Sequence, residues 1–137
     1  MKNILVLIAL AAALAVTSFL WPRGGETLPG RPLAGLEIKY LLTGNTAIGR
    51  WGDDQYRQFF SEGGVTYYAQ RGKRSTRGKW RITRGNDAYE SWWSGADDNW
   101  VRFDVRLTPD GYAWVDSAGT IHPFELLAGE QLVWDDS

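Results

Sequence analysis

From Thr46 onward, apolar and polar residues alternate in short runs. Val101, Phe103, Val105 and Leu107 alternate with Arg102, Asp104 and Arg106, and Trp80 and Ile82 alternate with Lys79, Arg81 and Thr83. A period of two turns one set of side chains inward and leaves the other in water. The pattern predicts strands at about 46–51, 55–61, 64–70, 78–84, 88–94, 99–107, 111–116 and 120–124. Between them lie Glu62-Gly63-Gly64, Arg84-Gly85-Asn86-Asp87, Pro109-Asp110-Gly111 and Asp116-Ser117-Ala118-Gly119. Such turns make neighbouring strands antiparallel. An even meander of this kind predicts an all-β domain, a small antiparallel up-and-down barrel of lipocalin-like form, because closure removes the sheet edges.

The chain before Thr46 reads differently. Leu33, Leu36, Tyr40 and Leu41 recur near helical spacing, which predicts one short N-terminal helix over 33–42, ended by Gly44-Asn45. The alternation of Glu37-Ile38-Lys39-Tyr40 also fits a strand. Pro22 to Pro32 is rich in Pro and Gly and reads as a linker. After the last strand, Glu125 to Val133 reads as a short helix or irregular cap, followed by an acidic tail.

Ile4 to Trp21 is almost wholly apolar and follows a Met1-Lys2 start. A positive start and an apolar run have the form of an export segment. One reading is a signal peptide cut after Ala13-Leu14-Ala15 or Val16-Thr17-Ser18. The other is an uncleaved membrane anchor with Trp21 at the interface, since about 18–20 apolar residues span a bilayer. The expected division is therefore an export segment at 1–21, a linker at 22–32 and the barrel domain at 33–137. The expected location is the periplasm, either soluble after cleavage or anchored to the inner membrane.

Composition narrows the chemistry. The 137 residues contain no cysteine, so disulfides and thiolate metal sites are excluded. Eight Trp, six Tyr and five Phe supply the apolar area that a small domain needs. A formal net charge of −1 gives no global attraction to nucleic acid, and none is expected as a partner.

Two constellations are candidate sites. Arg71, Lys73, Arg74 and Arg77 form a basic hairpin, extended by Lys79, Arg81 and Arg84. Clustered guanidinium groups suit phosphate or anionic lipid headgroups; the alternative is a solvated turn whose charges block edge pairing. The aromatic residues Tyr89, Trp92, Trp93, Trp100, Trp114 and Trp134 are the second constellation. They either fill the interior or line a cavity for one small apolar ligand. Trp100 shares its alternation face with Arg102, Asp104 and Arg106 and is expected on the polar side. Trp92 and Trp93 are adjacent, so one of them is expected outside. Trp92, Trp93 and Trp100 are the candidate ligand or interface aromatics.

Catalytic signals are weak. His122 is the single histidine, with Asp116 and Ser117 shortly before it. A triad needs its base held between nucleophile and acid in space, which a local run does not provide. Glu90, Asp104 and Glu125 could supply a carboxylate pair, as any small domain could. No metal-ligand spacing and no phosphate-cradling glycine motif is present, and the sequence points to no cofactor.

Leu42-Thr43-Gly44-Asn45-Thr46-Ala47-Ile48-Gly49, then Tyr56 with Phe59-Phe60, Glu62-Gly63-Gly64 and Gly78-Lys79-Trp80-Arg81-Ile82, resemble an uncharacterised family of small exported bacterial β-rich proteins. That family carries a "GNT", "YF…DG" and "G-x-W" order after a signal peptide, and the resemblance covers roughly Leu36 to Trp134. Members often carry a pair of later cysteines, which this chain lacks. The resemblance implies an exported, barrel-like domain and no catalytic residue. The functional expectation is a noncatalytic binding or interaction domain of the cell envelope, meeting an anionic lipid, an envelope component or a small apolar ligand. The alternatives are a hydrolase acting on an envelope component and a structural accessory subunit of a membrane complex.

Overall fold

The computed structural model describes residues 28–95 and 99–134. The expected export segment and most of the expected linker lie outside the described residues. Among the described residues, no helix is long and apolar enough to cross a membrane.

The strands are β1 (Arg31–Pro32), β2 (Asn45–Trp51), β3 (Asp54–Phe60), β4 (Val65–Gln70), β5 (Thr76–Ile82), β6 (Tyr89–Trp93), β7 (Val101–Thr108), β8 (Gly111–Val115) and β9 (Ile121–Ala128), with one helix, α1 (Gly35–Leu42). From β2 to β9 each strand pairs antiparallel with the next, and β9 pairs back onto β2 through Asn45↔Ala128 to Gly49↔Phe124. The wall is a closed, eight-stranded, up-and-down barrel. The expected strands all form. The expected helix or irregular cap from Glu125 starts later: β9 runs on to Ala128, because Phe124 and Leu126 alternate inward and find β2 as a partner, and the residues after it are irregular.

The last residues of the expected linker are also ordered. β1 pairs with β7 through Arg31↔Leu107 and Pro32↔Arg106, on the side of β7 that β6 leaves empty after Phe103. The Arg106 guanidinium donates to the carbonyls of Leu28, Pro29 and Gly30 at 3.3, 2.9 and 2.7 Å. A Pro at the end of such a short strand is compatible with pairing, since it lacks only the donor.

Helix α1 closes one end of the barrel. Ala34 offers no side-chain cap; Glu37 instead reaches back to the Ala34 N–H at 2.8 Å and is gripped by Arg31 at 3.1 and 2.9 Å. The hydrogen bonds from Arg31 and Ala34 hold the Glu37 carboxyl below its ordinary range. At the other end Gly44 takes φ 78°, a conformation that costs glycine little, and its N–H bonds the Phe60 carbonyl at 2.7 Å. Ile38 and Leu42 face the lumen and are fully buried, whereas Leu36 and Tyr40 face water. Above them Phe60 packs edge-on against Trp80 and Tyr89, with ring centroids 5.5 and 5.8 Å apart, and Trp114 stacks on Phe124 at 4.2 Å.

The segment after β9 returns across the outside of β2 and β3. Thr46 lies on the outer face and is still fully buried, because its hydroxyl donates to the Gly129 carbonyl and accepts from the Gln131 N–H. Arg57 donates to the Gln131 carbonyl at 2.9 Å and lies over the Trp134 ring.

Leu42→Ala is expected to cost about 2–5 kcal/mol, since it removes a fully buried plug residue. Leu36→Ala, at an exposed position of the same helix, is expected to stay within about 0.5 kcal/mol. Urea unfolding of the two variants measures the difference.

Candidate functional site

Among the described residues nothing covers the end of the barrel opposite α1. Inward positions near that end are Trp51 on β2, Tyr68 on β4, Trp93 on β6, Phe103 on β7 and Trp114 on β8; they line a cavity of about 380 Å³. The rings touch in sequence around the lumen. Trp51 stacks on Tyr56 at 5.5 Å, Tyr56 on Tyr68 at 5.6 Å, and Tyr68 meets Trp93 edge-on at 5.9 Å. Across the lumen Trp51 contacts Phe103 of β7 at 5.8 Å, and Phe103 contacts Trp114 on the neighbouring β8 at 6.0 Å. Val101, 43 % exposed, and Thr76 stand at the mouth.

Each ring is placed by period-two alternation on a paired strand. Trp93 has a further support: it faces Gly78 across the β5–β6 ladder, and a Cβ at Gly78 would sit 2.5 Å from the Trp93 ring. The bare glycine backbone lets the indole lie flat against β5, which keeps it out of the lumen.

The floor of the cavity is polar. Gln58 Nε2 donates to Thr66 Oγ1 at 2.9 Å and to the Tyr89 hydroxyl at 3.0 Å. Trp93 Nε1 donates to Ser91 Oγ at 3.1 Å, and Trp114 Nε1 to the Tyr56 hydroxyl at 2.9 Å. Burial pushes the Tyr89 hydroxyl up to about 12 against the pull of hydrogen bonds from Ser91 and Gln58. Burial, with the nearby Asp54 charge, pushes Tyr68 up to about 12. Tyr56 is raised as well, chiefly by burial. All three phenols are therefore neutral at physiological pH, and among the described residues no charged side chain lines the cavity.

His122 faces inward at the rim. Its Nε2 lies 3.0 Å from Asp116 Oδ2, and its ring is 4.6 Å from that of Trp51. Asp116 also accepts from the N–H groups of Thr120 and Ala118 at 2.9 and 3.0 Å. The pair ties the β8–β9 turn to the aromatic wall. Among the described residues no hydroxyl joins His122 to complete a triad. Glu90 and Asp104 pair with Arg81 and Arg102 on the outer face, and Glu125 lies on the outer face of β9; none of these carboxylates lines the cavity. Among the described residues no cluster of His, Asp or Glu has the makings of a metal site.

The structure divides the three aromatics that the sequence grouped. Trp93 lies inside, in the cavity wall. Trp92 lies outside beneath Lys79, whose ammonium is 5.2 Å from its ring. Trp100 is outside too, covered by the Arg81 guanidinium at 3.6 Å. They do not form one surface. The basic hairpin is the β4–β5 turn, at the open end beside Thr76. Arg71 bends away from the mouth, donating to Gln55 Oε1 at 2.9 Å and lying over Trp134. Lys73, Arg74 and Arg77 are exposed, and among the described residues their side chains make no ion pair.

Sequence reasoning passed over Trp51, Tyr68 and Gln58. Trp51 shares its parity with buried Ala47, and Gln58 shares its parity with Tyr56 and Phe60. A polar residue in the inward series of an otherwise apolar strand face was the available signal. A larger groove of about 750 Å³ runs along the outer face, where Arg50, Arg57, Arg71 and Glu125 mix charges of both signs beside Trp134. It is open to solvent and lacks the convergent polar floor of the cup. Comparison with protein-family models, with curated proteins and with solved structures gives no match to this chain.

The hydrogen bond from His122, followed by that from Thr120, holds the Asp116 carboxyl below its ordinary range. The stabilisation is present above the ordinary aspartate range and is lost as pH falls through the lowered folded-state value. Carboxyl ¹³C titration is expected to place the Asp116 midpoint low in the native protein. In His122→Ala the midpoint is expected to rise toward the ordinary range, with part of the depression kept by the two backbone donors.

Proposed function

We propose that this chain is an exported, noncatalytic binding protein of the bacterial cell envelope that holds one small, apolar, ring-shaped ligand in the open end of its barrel. The observation that carries the reading is the cup. A lumen sealed by α1 at one end opens at the other into about 380 Å³ walled by aromatic rings with a few converging polar groups. That volume and that mixture are those of small-molecule sites, where apolar walls supply affinity and a few polar atoms fix orientation. Trp51 of β2 and Phe103 of β7 meet across the lumen at 5.8 Å, and the cavity lies beside that contact, walled by both rings with Tyr68 and Trp93.

Export rests on the apolar Ile4–Trp21 run behind Met1-Lys2, together with the resemblance to small exported β-rich proteins. The periplasm is the compartment that both imply, with membrane association through the N-terminal segment if it is uncleaved. One observation favours a further partner. Lys73 and Arg74 stand in the turn at the open end, so an anionic lipid or envelope polymer that met them would lie against the mouth. An apolar molecule could then pass between that surface and the cup.

Tryptophan fluorescence is expected to be quenched or shifted, saturably and at one site per chain, by a neutral bicyclic aromatic probe. Val101→Trp places a bulky ring at a half-exposed position of the mouth and is expected to weaken that binding at least about tenfold while leaving the fold intact. Undiminished binding in a folded Val101→Trp variant would contradict a ligand seated in the cup.

A further inference from the structure

We infer that the ligand of the cup is a neutral ring compound with a hydroxyl or N–H group at its buried end, and that this group donates to the amide carbonyl of Gln58. The inference rests on the reading of the cup as a ligand site and goes on to name the polar chemistry of its occupant.

The argument starts from Thr66. Its hydroxyl donates to the Phe59 carbonyl at 2.8 Å, which can only accept. The single Thr66 proton is therefore committed, and Thr66 Oγ1 can only accept from Gln58, 2.9 Å away. That fixes the orientation of the Gln58 amide, with nitrogen toward Thr66 and oxygen away from it. The second Nε2 proton goes to the Tyr89 hydroxyl at 3.0 Å. Both amide protons are now used, and the carbonyl Oε1 is left over. Among the described residues it has no hydrogen-bond partner, although Gln58 is only 7 % exposed. It is not among the polar atoms sealed away without a partner, so it opens onto space, and the space that Gln58 lines is the cup.

A buried acceptor of this kind costs free energy unless something donates to it. Water can do so in the empty cup. A ligand that displaces the water must replace its hydrogen bond or lose affinity. The acceptor therefore selects a donor at the buried end and disfavours a carbonyl or carboxylate there. Among the described residues no charged side chain lines the cup, so nothing at its floor would compensate a buried charge, and the buried end of the ligand is uncharged. The aromatic walls fit a flat ring. Phenolic, indolic and similar ring systems meet all three conditions.

The test compares 2-naphthol, 2-methoxynaphthalene and 2-naphthoate at pH 7 by fluorescence titration and calorimetry. They share one ring system; they differ in offering a donor, a capped oxygen or a carboxylate. The native protein is expected to bind 2-naphthol about tenfold or more tightly than either of the others. The ¹³C resonance of the Gln58 carbonyl is expected to move on binding 2-naphthol, and much less with 2-methoxynaphthalene. Gln58→Met keeps the length of the side chain and removes the amide acceptor. It is expected to bring the naphthol-to-methoxynaphthalene ratio close to one while ring binding persists. Equal binding of the two by the native protein, or a preference that survives in a folded Gln58→Met variant, overturns the inference and leaves the cup as a ligand site. No binding of any of the three overturns the ligand-site reading and this inference with it. The native comparison and the Gln58 resonance need no variant, so the result stands even if Gln58→Met does not fold.

Discussion

The ladder between β2 and β9 is the pairing on which the rest depends. It joins the first strand of the eight-stranded wall to the last, from Asn45↔Ala128 to Gly49↔Phe124, and closes that wall on itself. Closure also creates an inside. With no cysteine to tie the chain, that inside has to be held by apolar area alone, and aromatic rings provide most of it. Each ring sits where a strand's alternation points it inward, so the register set by the ladders becomes the positions of the rings. A slip of one residue anywhere in the wall would turn its rings to solvent.

The two ends of the lumen are treated differently. At one end Ile38 and Leu42 of α1 enter the barrel and join Phe60 and Trp80 in one buried apolar cluster. At the other end nothing among the described residues enters. The rings there line the wall, with Trp51 reaching Phe103 across the lumen, and a cavity is left beside them. Between the two layers runs the buried polar group of Gln58, Thr66, Tyr89 and Ser91. Buried hydrogen bonds of this sort are costly to leave incomplete. Their position at the boundary of the filled and open layers is what makes them readable as the floor of a site.

Much of the wall was legible in the sequence because it is local information. Alternation in Val101–Leu107 and Lys79–Ile82, with Gly, Asn and Asp at the turns, fixes strand positions within a few residues. The helix before Gly44 forms too, but on another face than the spacing of Leu36 and Tyr40 implied, since those two lie in water and Ile38 and Leu42 are buried. Three features were not legible, and each depends on a distant partner. Glu125–Ala128 extends β9 because β2 is there to pair with it. Arg31 and Pro32 are held because Arg106, far along the chain, grips the carbonyls that precede them. Thr46 is buried because the segment after β9 crosses it. The site was partly legible. Tyr89, Trp93 and Trp114 belong to the aromatic set read from the sequence, and all three line the cup. Period two says that Trp92 and Trp93 point oppositely without saying which is inside; the steric fit of Trp93 on Gly78 decides it.

The central claim is that the interior is a plugged barrel with an accessible aromatic cup. Indole N–H resonances test it most directly, because tryptophans occupy the cup, the plugged layer and the outer face. Saturation with a neutral ring compound should move the indole signals of Trp51, Trp93 and Trp114 and leave those of Trp80, Trp92 and Trp100 in place. Shifts confined to Trp92 and Trp100, or equal shifts throughout, would contradict it.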